Sequence, residues 1–372
     1  MRYYLIAGEA SGDLHGSNLM KSLLKFDKEA DFRYFGGDRM SEVGGSLVRH
    51  YREMAYMGVV DVLLHIRTIS KNLEYCRMDI IGWKPDALVL IDYAGFNLRI
   101  AEFAKAEGLK VFYYISPKVW VWKKSRIDKL RKFTDRLFVI FPFEVEFFRN
   151  NDLEVEYYGN PLMDSVNEFR KKKLDKKLFL EDNLLDEKPV IALLSGSRKD
   201  EIKRCLPEMV RVSKAFPEYN FVVAGVNTIP ETMYRKIIRK SKVKLVENRT
   251  YELLSLAHAA IVTSGTATLE TAIFNVPQVV VYKTSPFNYH IGSLFIKIRF
   301  FSLVNLITGR EVVKELLQYR VRRELLREFG KILDGKNRDR ILVDYHELRE
   351  RLGDQGSSER VAARITELLN VI

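Results

Sequence analysis

The sequence predicts an α/β protein built from two doubly wound, Rossmann-like domains, each a parallel sheet between helices. Three observations predict it. Short, uniformly apolar β-rich runs alternate with helical ones, the pattern of strands buried on both faces. The alternation starts afresh near Leu185, after a charged stretch from Arg170 to Lys177. And 372 residues exceed what a single hydrophobic core usually supports.

In the first half, the strands are Tyr3–Ala7, Phe32–Phe35, Ala87–Ile91, Val111–Ile115 and Leu137–Ile140, with helices over Leu14–Phe26 and Leu98–Ala106. In the second, they are Val190–Leu194, Phe221–Ala224, Lys244–Val246, Ala260–Thr263 and Val279–Tyr282. The expected domains are therefore 1–165 and 166–345, with helices over 346–372 returning to complete the first. Gly353-Asp354-Gln355-Gly356 breaks the tail before its last helix. Two such halves, with a cleft between them, place ligands at the carboxyl ends of the strands.

Composition narrows the class. Hydrophobic residues make up 47% and charged residues 30%, which excludes disordered, collagen-like and disulfide-rich proteins. Cys76 and Cys205 lie far apart in helical runs and read as reduced core residues. No stretch of eighteen apolar residues argues for a membrane span, and Met1–Ala7 reads as a strand with no leader, so a cytoplasmic protein is expected. A net charge of +12 suits a polyanionic partner: nucleic acid, an anionic bilayer or a phosphorylated substrate.

Two loops have the chemistry of a diphosphate site. Ser195-Gly196-Ser197-Arg198 links a strand to a helix, so backbone N–H groups and a guanidinium can face an anion; it also reads as an ordinary β-to-α turn. Thr263-Ser264-Gly265-Thr266-Ala267-Thr268 repeats the arrangement, with hydroxyls able to donate to a phosphate. Glu270 then lies in the first turns of the helix, placed to accept ribose hydroxyls or to favour the helix dipole. G-x-G-x-x-G, the P-loop and an Asp-x-Asp metal motif are all absent from the sequence, so no cofactor and no metal are expected, and the charge of a leaving diphosphate falls to Arg198 and helix N-termini.

Seven segments in order carry a resemblance: Ala7–Asp13, Ile91–Asn97, Tyr114–Trp122, Phe141–Glu144, Ser195–Arg198, Ser264–Ala267 and Asn305–Glu311. Together they resemble the lipid-A-disaccharide synthases, a likeness that runs to about Gln318. The resemblance implies the glycosyltransferase B fold, with the acceptor on the N-terminal half and a UDP-sugar on the C-terminal half. It implies an inverting transfer from UDP-2,3-diacylglucosamine to 2,3-diacylglucosamine 1-phosphate, giving a β-1,6-linked disaccharide 1-phosphate and UDP. That places the enzyme on the cytoplasmic face of the inner membrane of a Gram-negative bacterium. Many relatives have a second acid within the Ile91–Asn97 segment, where this chain has Gly95, so any role of that acid does not carry over.

An inverting transfer needs a base for the acceptor hydroxyl. Asp92, at the end of a buried strand, is the candidate. Glu9 and Asp13, read as lying on the loop after the first strand, either orient Asp92 or the acceptor, or cap the following helix. By the resemblance, Ser195, Arg198, Ser264, Gly265, Thr266, Ala267, Glu270, Asn305 and Gln318 face the donor. His65, His258 and His290 read as structural histidines in apolar or helical runs.

Membrane contact is expected from Val59–Leu73, where Val62, Leu63, Leu64 and Ile66 belong to an amphipathic stripe that equally suits a core-facing helix. Phe295 and Phe300 in Leu294–Leu303 add a second interfacial pattern, and a basic stretch from Lys118 to Lys132 suits anionic lipid or the acceptor phosphate. The rival readings are another UDP-sugar enzyme of the same fold, either the peptidoglycan N-acetylglucosaminyltransferase or a UDP-sugar 2-epimerase, and a nucleic-acid-binding protein stacking bases on Trp120 and Trp122. The second rival lacks any recognised nucleic-acid motif, so no nucleic acid is expected among the partners.

Overall fold

The computed structural model describes residues 1–54, 65–119, 126–172, 174–285 and 299–370. The chain divides into two compact units, Met1–Asp164 with Gly353–Ile372, and Ser165–Leu352. Each is built on a wholly parallel sheet, which needs helical crossovers and cover on both faces.

The first unit contains β1 (Arg2–Ala7), β2 (Asp31–Gly36), β3 (Ser46–His50), β4 (Ala87–Ile91), β5 (Lys110–Tyr114), β6 (Arg136–Val139) and β7 (Glu156–Tyr157), in the order β3-β2-β1-β4-β5-β6-β7. Its helices are α1 (Ala10–Phe26), α2 (Asp38–Val43), α3 (Ile66–Trp83), α4 (Ala94–Ala106), α5 (Arg126–Phe133) and α6 (Pro142–Arg149). The chain leaves this unit within α7 (Pro161–Arg170).

The second unit contains β8 (Val190–Leu194), β9 (Asn220–Gly225), β10 (Lys244–Glu247), β11 (Ala257–Thr263), β12 (Gln278–Tyr282) and β13 (Lys314–Leu317), in the order β10-β9-β8-β11-β12-β13. Its helices are α8 (Lys176–Asp182), α9 (Lys199–Ser213), α10 (Glu231–Ile238), α11 (Thr250–Leu256), α12 (Thr266–Ile273), α13 (Leu303–Thr308), α14 (Tyr319–Gly330) and α15 (Gly335–Leu352). The return to the first unit comes at Gly353, not at residue 346, because α15 runs unbroken to Leu352. The last helix, α16 (Ser357–Asn370), then packs on α1. The Asp164 carboxylate caps its start, accepting the Gly356 and Ser358 N–H groups at 2.5 and 2.9 Å.

The central strands are apolar and fully buried, β4 and β8 at every position, and they form the cores of their units. Strands β3, β7 and β13 are the ones the apolar runs do not reveal. Each lies at a sheet edge and is only partly covered, so its residues need not be uniformly apolar. Both free cysteines, Cys76 and Cys205, are buried. Among the described residues, no helix is long and apolar enough to cross a membrane.

Candidate functional site

Strand order reverses direction between β1 and β4 in the first unit and between β8 and β11 in the second. In such sheets this switch point opens a crevice beyond the strand ends, because the crossovers on its two sides leave in opposite directions. The loops singled out from sequence leave the sheets at these two places: Gly8-Glu9 and Asp92-Tyr93 in one unit, Ser195–Arg198 and Ser264–Thr266 in the other.

Ala7 pairs in register with Ile91, so the loops after β1 and β4 start side by side. A Cβ on Gly8 would stand 2.2 Å from Cγ of Tyr93; glycine is what lets the ring lie against this loop. The ring stacks on Phe96, with centroids 5.5 Å apart, and its hydroxyl donates to the Met54 carbonyl at 2.8 Å. Asp92 and Tyr93 have φ of 45° and 47°, in the left-handed region that costs a non-glycine residue energy. Hydrogen bonds hold that turn. The Asp92 carbonyl accepts from Asn97 Nδ2 at 2.9 Å and from the Tyr113 hydroxyl at 2.5 Å, and the Asp92 N–H donates to the Tyr114 and Ile115 carbonyls.

Burial raises the Asp92 carboxyl above its ordinary range, while the positive charge of Lys118 and the Tyr93 N–H pull it back. A carboxylate so placed is a stronger proton acceptor than one in water. The turn carrying Lys118 is itself fixed. Ser116 Oγ donates to Glu144 Oε1 at 2.8 Å, and Glu144 Oε2 accepts the Phe141 N–H at 3.0 Å. The sequence segments around Ser116 and Phe141 thus hold one another.

The structure corrects the reading of Asp13. It lies inside α1, which starts at Ala10, four residues before its apolar stripe begins at Leu14. Its buried carboxylate accepts the N–H groups of Gly37, Arg39 and Met40 at 2.8, 3.1 and 3.1 Å, so it caps the distant helix α2 and has both oxygens engaged. Glu9 is the N-cap residue of α1, partly buried beside Gly8.

In the second unit, Ser195 directly follows β8 and is fully buried, with no hydrogen-bond partner for its hydroxyl among the described residues. Gln318, which follows β13 at φ 52°, likewise has a buried Nε2 without a partner. Buried polar groups of this kind are rare unless something else satisfies them. Arg198 is exposed before α9, 3.5 Å from Glu201. Glu201 also accepts the Ser197 N–H at 3.1 Å, so a carboxylate already occupies part of this loop. Glu270 lies in α12, raised by burial, and accepts from the Tyr251 hydroxyl at 2.9 Å. Gly265 precedes α12, and Thr266 and Ala267 open it; first-turn N–H groups have no partner within a helix.

Three expectations for this unit change. Asn305 is completely buried, and its side chain is fully used: Oδ1 accepts from Val312 and Val313, while Nδ2 donates to the Val313 carbonyl and to Glu315. It braces the chain and does not present its amide to a ligand. Ser264 Oγ donates to the Phe301 carbonyl at 2.7 Å, so its proton is not available for a phosphate. Phe300 is only 9% exposed, under the Arg299 guanidinium, and is a packed residue rather than an interfacial one.

Ile66, at the start of α3, is 55% exposed. Val62, Leu63, Leu64, Phe295, His290, Trp120 and Trp122 lie outside the described residues. His258 bonds the Leu333 carbonyl at 2.7 Å and stacks on Tyr219, a structural arrangement; His65 is the N-cap residue of α3. Glu315 and Glu201 were not singled out by sequence reading. An acid inside the strand Lys314-Glu315-Leu316-Leu317 is the one signal that could have marked the first.

The lipid-A-disaccharide synthetase family model matches residues 3–366. Lipid-A-disaccharide synthase of Syntrophus aciditrophicus is 36% identical over 98% of this chain and 97% of its own length. The enzyme of the same name from Geobacter sulfurreducens is 34% identical over 99% and 97%. In fold, the chain is similar to UDP-GlcNAc 2-epimerase from Neisseria meningitidis bound to UDP-GlcNAc, with a TM-score of 0.71 and 12% identity over 99% of this chain and 100% of that one. It is also similar to S. aureus MnaA in a co-structure with UDP, with a TM-score of 0.69 and 13% identity over 100% and 97%. Such distant structures speak for the fold alone, whereas the sequence matches run the length of the chain: it belongs to the lipid-A-disaccharide synthase family and is a glycosyltransferase of lipid A biosynthesis.

Proposed function

We propose that the protein joins UDP-2,3-diacylglucosamine to 2,3-diacylglucosamine 1-phosphate by an inverting transfer. The observation that carries this reading is the Asp92 carboxylate, fixed in a left-handed turn at the switch point of the first sheet and pushed upward by burial. In the transfer, Asp92 takes the proton of the acceptor 6-hydroxyl. The oxygen forms a bond to C1 of the donor sugar as the bond from C1 to the diphosphate oxygen breaks on the opposite face, and UDP leaves. Glu9, on the adjoining loop, orients the acceptor.

The donor lies over the second sheet. Arg198 and the start of α12, at Gly265, Thr266 and Ala267, take the diphosphate, and Glu270 takes the ribose hydroxyls. Ser195 and Gln318 supply buried polar groups nearby, which favours a polar ligand at these strand ends. Arg198 and the helix N–H groups stand in for a divalent ion, so the reaction runs without one. Both substrates carry acyl chains, and the enzyme works on the anionic cytoplasmic face of the inner membrane. Its excess of positive charge and the exposed Ile66 support that location.

Mass spectrometry of products from the purified protein and the two substrates tests the reading. A disaccharide 1-phosphate with one equivalent of UDP is expected. Conversion of UDP-N-acetylglucosamine to its 2-epimer without an acceptor, and no disaccharide, would instead favour an epimerase.

A further inference from the structure

One partly buried acid in the second unit has no part in the scheme above, yet it bonds Phe301, Ser302 and Asn305, beside the donor loop at Ser264. Glu315 lies in β13, three residues before Gln318. Its Oε2 accepts the Phe301 N–H at 2.8 Å, and its Oε1 accepts the Ser302 N–H at 2.9 Å and Asn305 Nδ2 at 2.8 Å. Asn305 is in turn held by Val312 and Val313, so the chain at Phe301–Ser302 is clamped to the end of the sheet. The Phe301 carbonyl so fixed receives the Ser264 hydroxyl at 2.7 Å. A carbonyl has no proton to give, so in this contact the hydroxyl must be the donor.

We propose that Glu315 is a positioning residue of the donor site: with Asn305 it fixes the carbonyl that takes the Ser264 proton, so that Ser264 offers only lone pairs and accepts a hydrogen bond from an N–H or O–H of the ligand. A diphosphate at neutral pH has no such group. Ser264 therefore reads the sugar or nucleoside of the donor, while Arg198 and the start of α12 hold the diphosphate. This rests on the donor-site reading above.

The test is binding of UDP, UDP-N-acetylglucosamine and inorganic pyrophosphate to the full chain by calorimetry, with pyrophosphate measured in competition with UDP. Ser264→Ala should weaken UDP-N-acetylglucosamine by about fivefold, the worth of one ordinary hydrogen bond, and leave pyrophosphate within about twofold. A matching loss for UDP assigns the contact to the nucleoside, and an unchanged UDP affinity assigns it to the sugar. An equal loss for pyrophosphate overturns the proposal. Ser264→Thr, which keeps the hydroxyl, should bind as the wild type does.

Glu315→Gln places an amide N–H against N–H donors and should reproduce the Ser264→Ala pattern. The double variant should be no weaker than either single one, and independent, multiplying losses would contradict positioning through Ser264. Should Glu315→Gln not fold, hydrogen exchange of the wild type decides: the Phe301 and Ser302 amides must be protected in the free protein, and rapid exchange there removes the clamp. Absence of UDP binding by the wild type overturns the donor-site reading itself.

Discussion

Gly8→Ala tests the join between the two loops of the first unit. The new Cβ would stand 2.2, 2.4 and 2.5 Å from Cγ, Cδ1 and Cδ2 of Tyr93, about 1 Å inside ordinary contact. The ring has little freedom to retreat, being tied at its hydroxyl to Met54 and stacked on Phe96. Overpacking of this kind costs about 1–3 kcal/mol, and loss of the hydroxyl bond adds roughly 1. A total of about 2–4 kcal/mol in a unit of this size lowers its melting temperature by about 4–16 °C. Thermal unfolding by circular dichroism measures it, with Gly95→Ala as control, since a Cβ there meets nothing within 4 Å. In a Tyr93→Gly background the same change should cost little. A Gly8→Ala protein that melts with the wild type, or one equally destabilised without the Tyr93 ring, refutes the account of this glycine.

Three further outcomes follow from the site. Activity should survive excess EDTA, whereas Arg198→Ala should weaken UDP binding by calorimetry; a chelated enzyme restored only by Mg²⁺ or Mn²⁺ contradicts the scheme. Because burial raises Asp92, turnover should fall on the acid side with a midpoint above the ordinary carboxylate range. Lys118→Met removes the charge that counteracts burial, so it should move that limb to higher pH; a limb that stays put would separate Lys118 from Asp92. Replacing Leu63, Leu64 and Ile66 by Ser should leave a folded protein that sediments poorly with anionic vesicles, at a cost of several kcal/mol by roughly 25 cal/mol per Å² of apolar area. A collapsed melting temperature instead would place these side chains in the core.

The central strands were legible because they are buried on both faces, so that Ala87–Ile91 and Val190–Leu194 announce themselves as apolar runs. The loops that follow them were legible through their small residues. What individual polar residues do was not. Asp13 and Asn305 have the composition of site residues, and only the fold reveals that their partners lie at Gly37–Met40 and at Val312–Glu315. A buried polar group satisfied at long range looks the same in sequence as one facing a ligand. Phe300 misled for a related reason: an aromatic next to a basic residue fits an interface or a packed side chain under a guanidinium equally well. The edge strands β3 and β13 escaped because partial exposure relaxes their pattern.

The role of Asp92 is tested most directly by single-turnover transfer with Asp92→Asn, beside UDP binding to the same variant. The amide preserves shape and cannot accept the acceptor proton as a carboxylate does. Turnover should drop by at least about a hundredfold, the lower end of general-base contributions, with UDP affinity unchanged. Transfer near the wild-type rate would remove Asp92 from the chemistry.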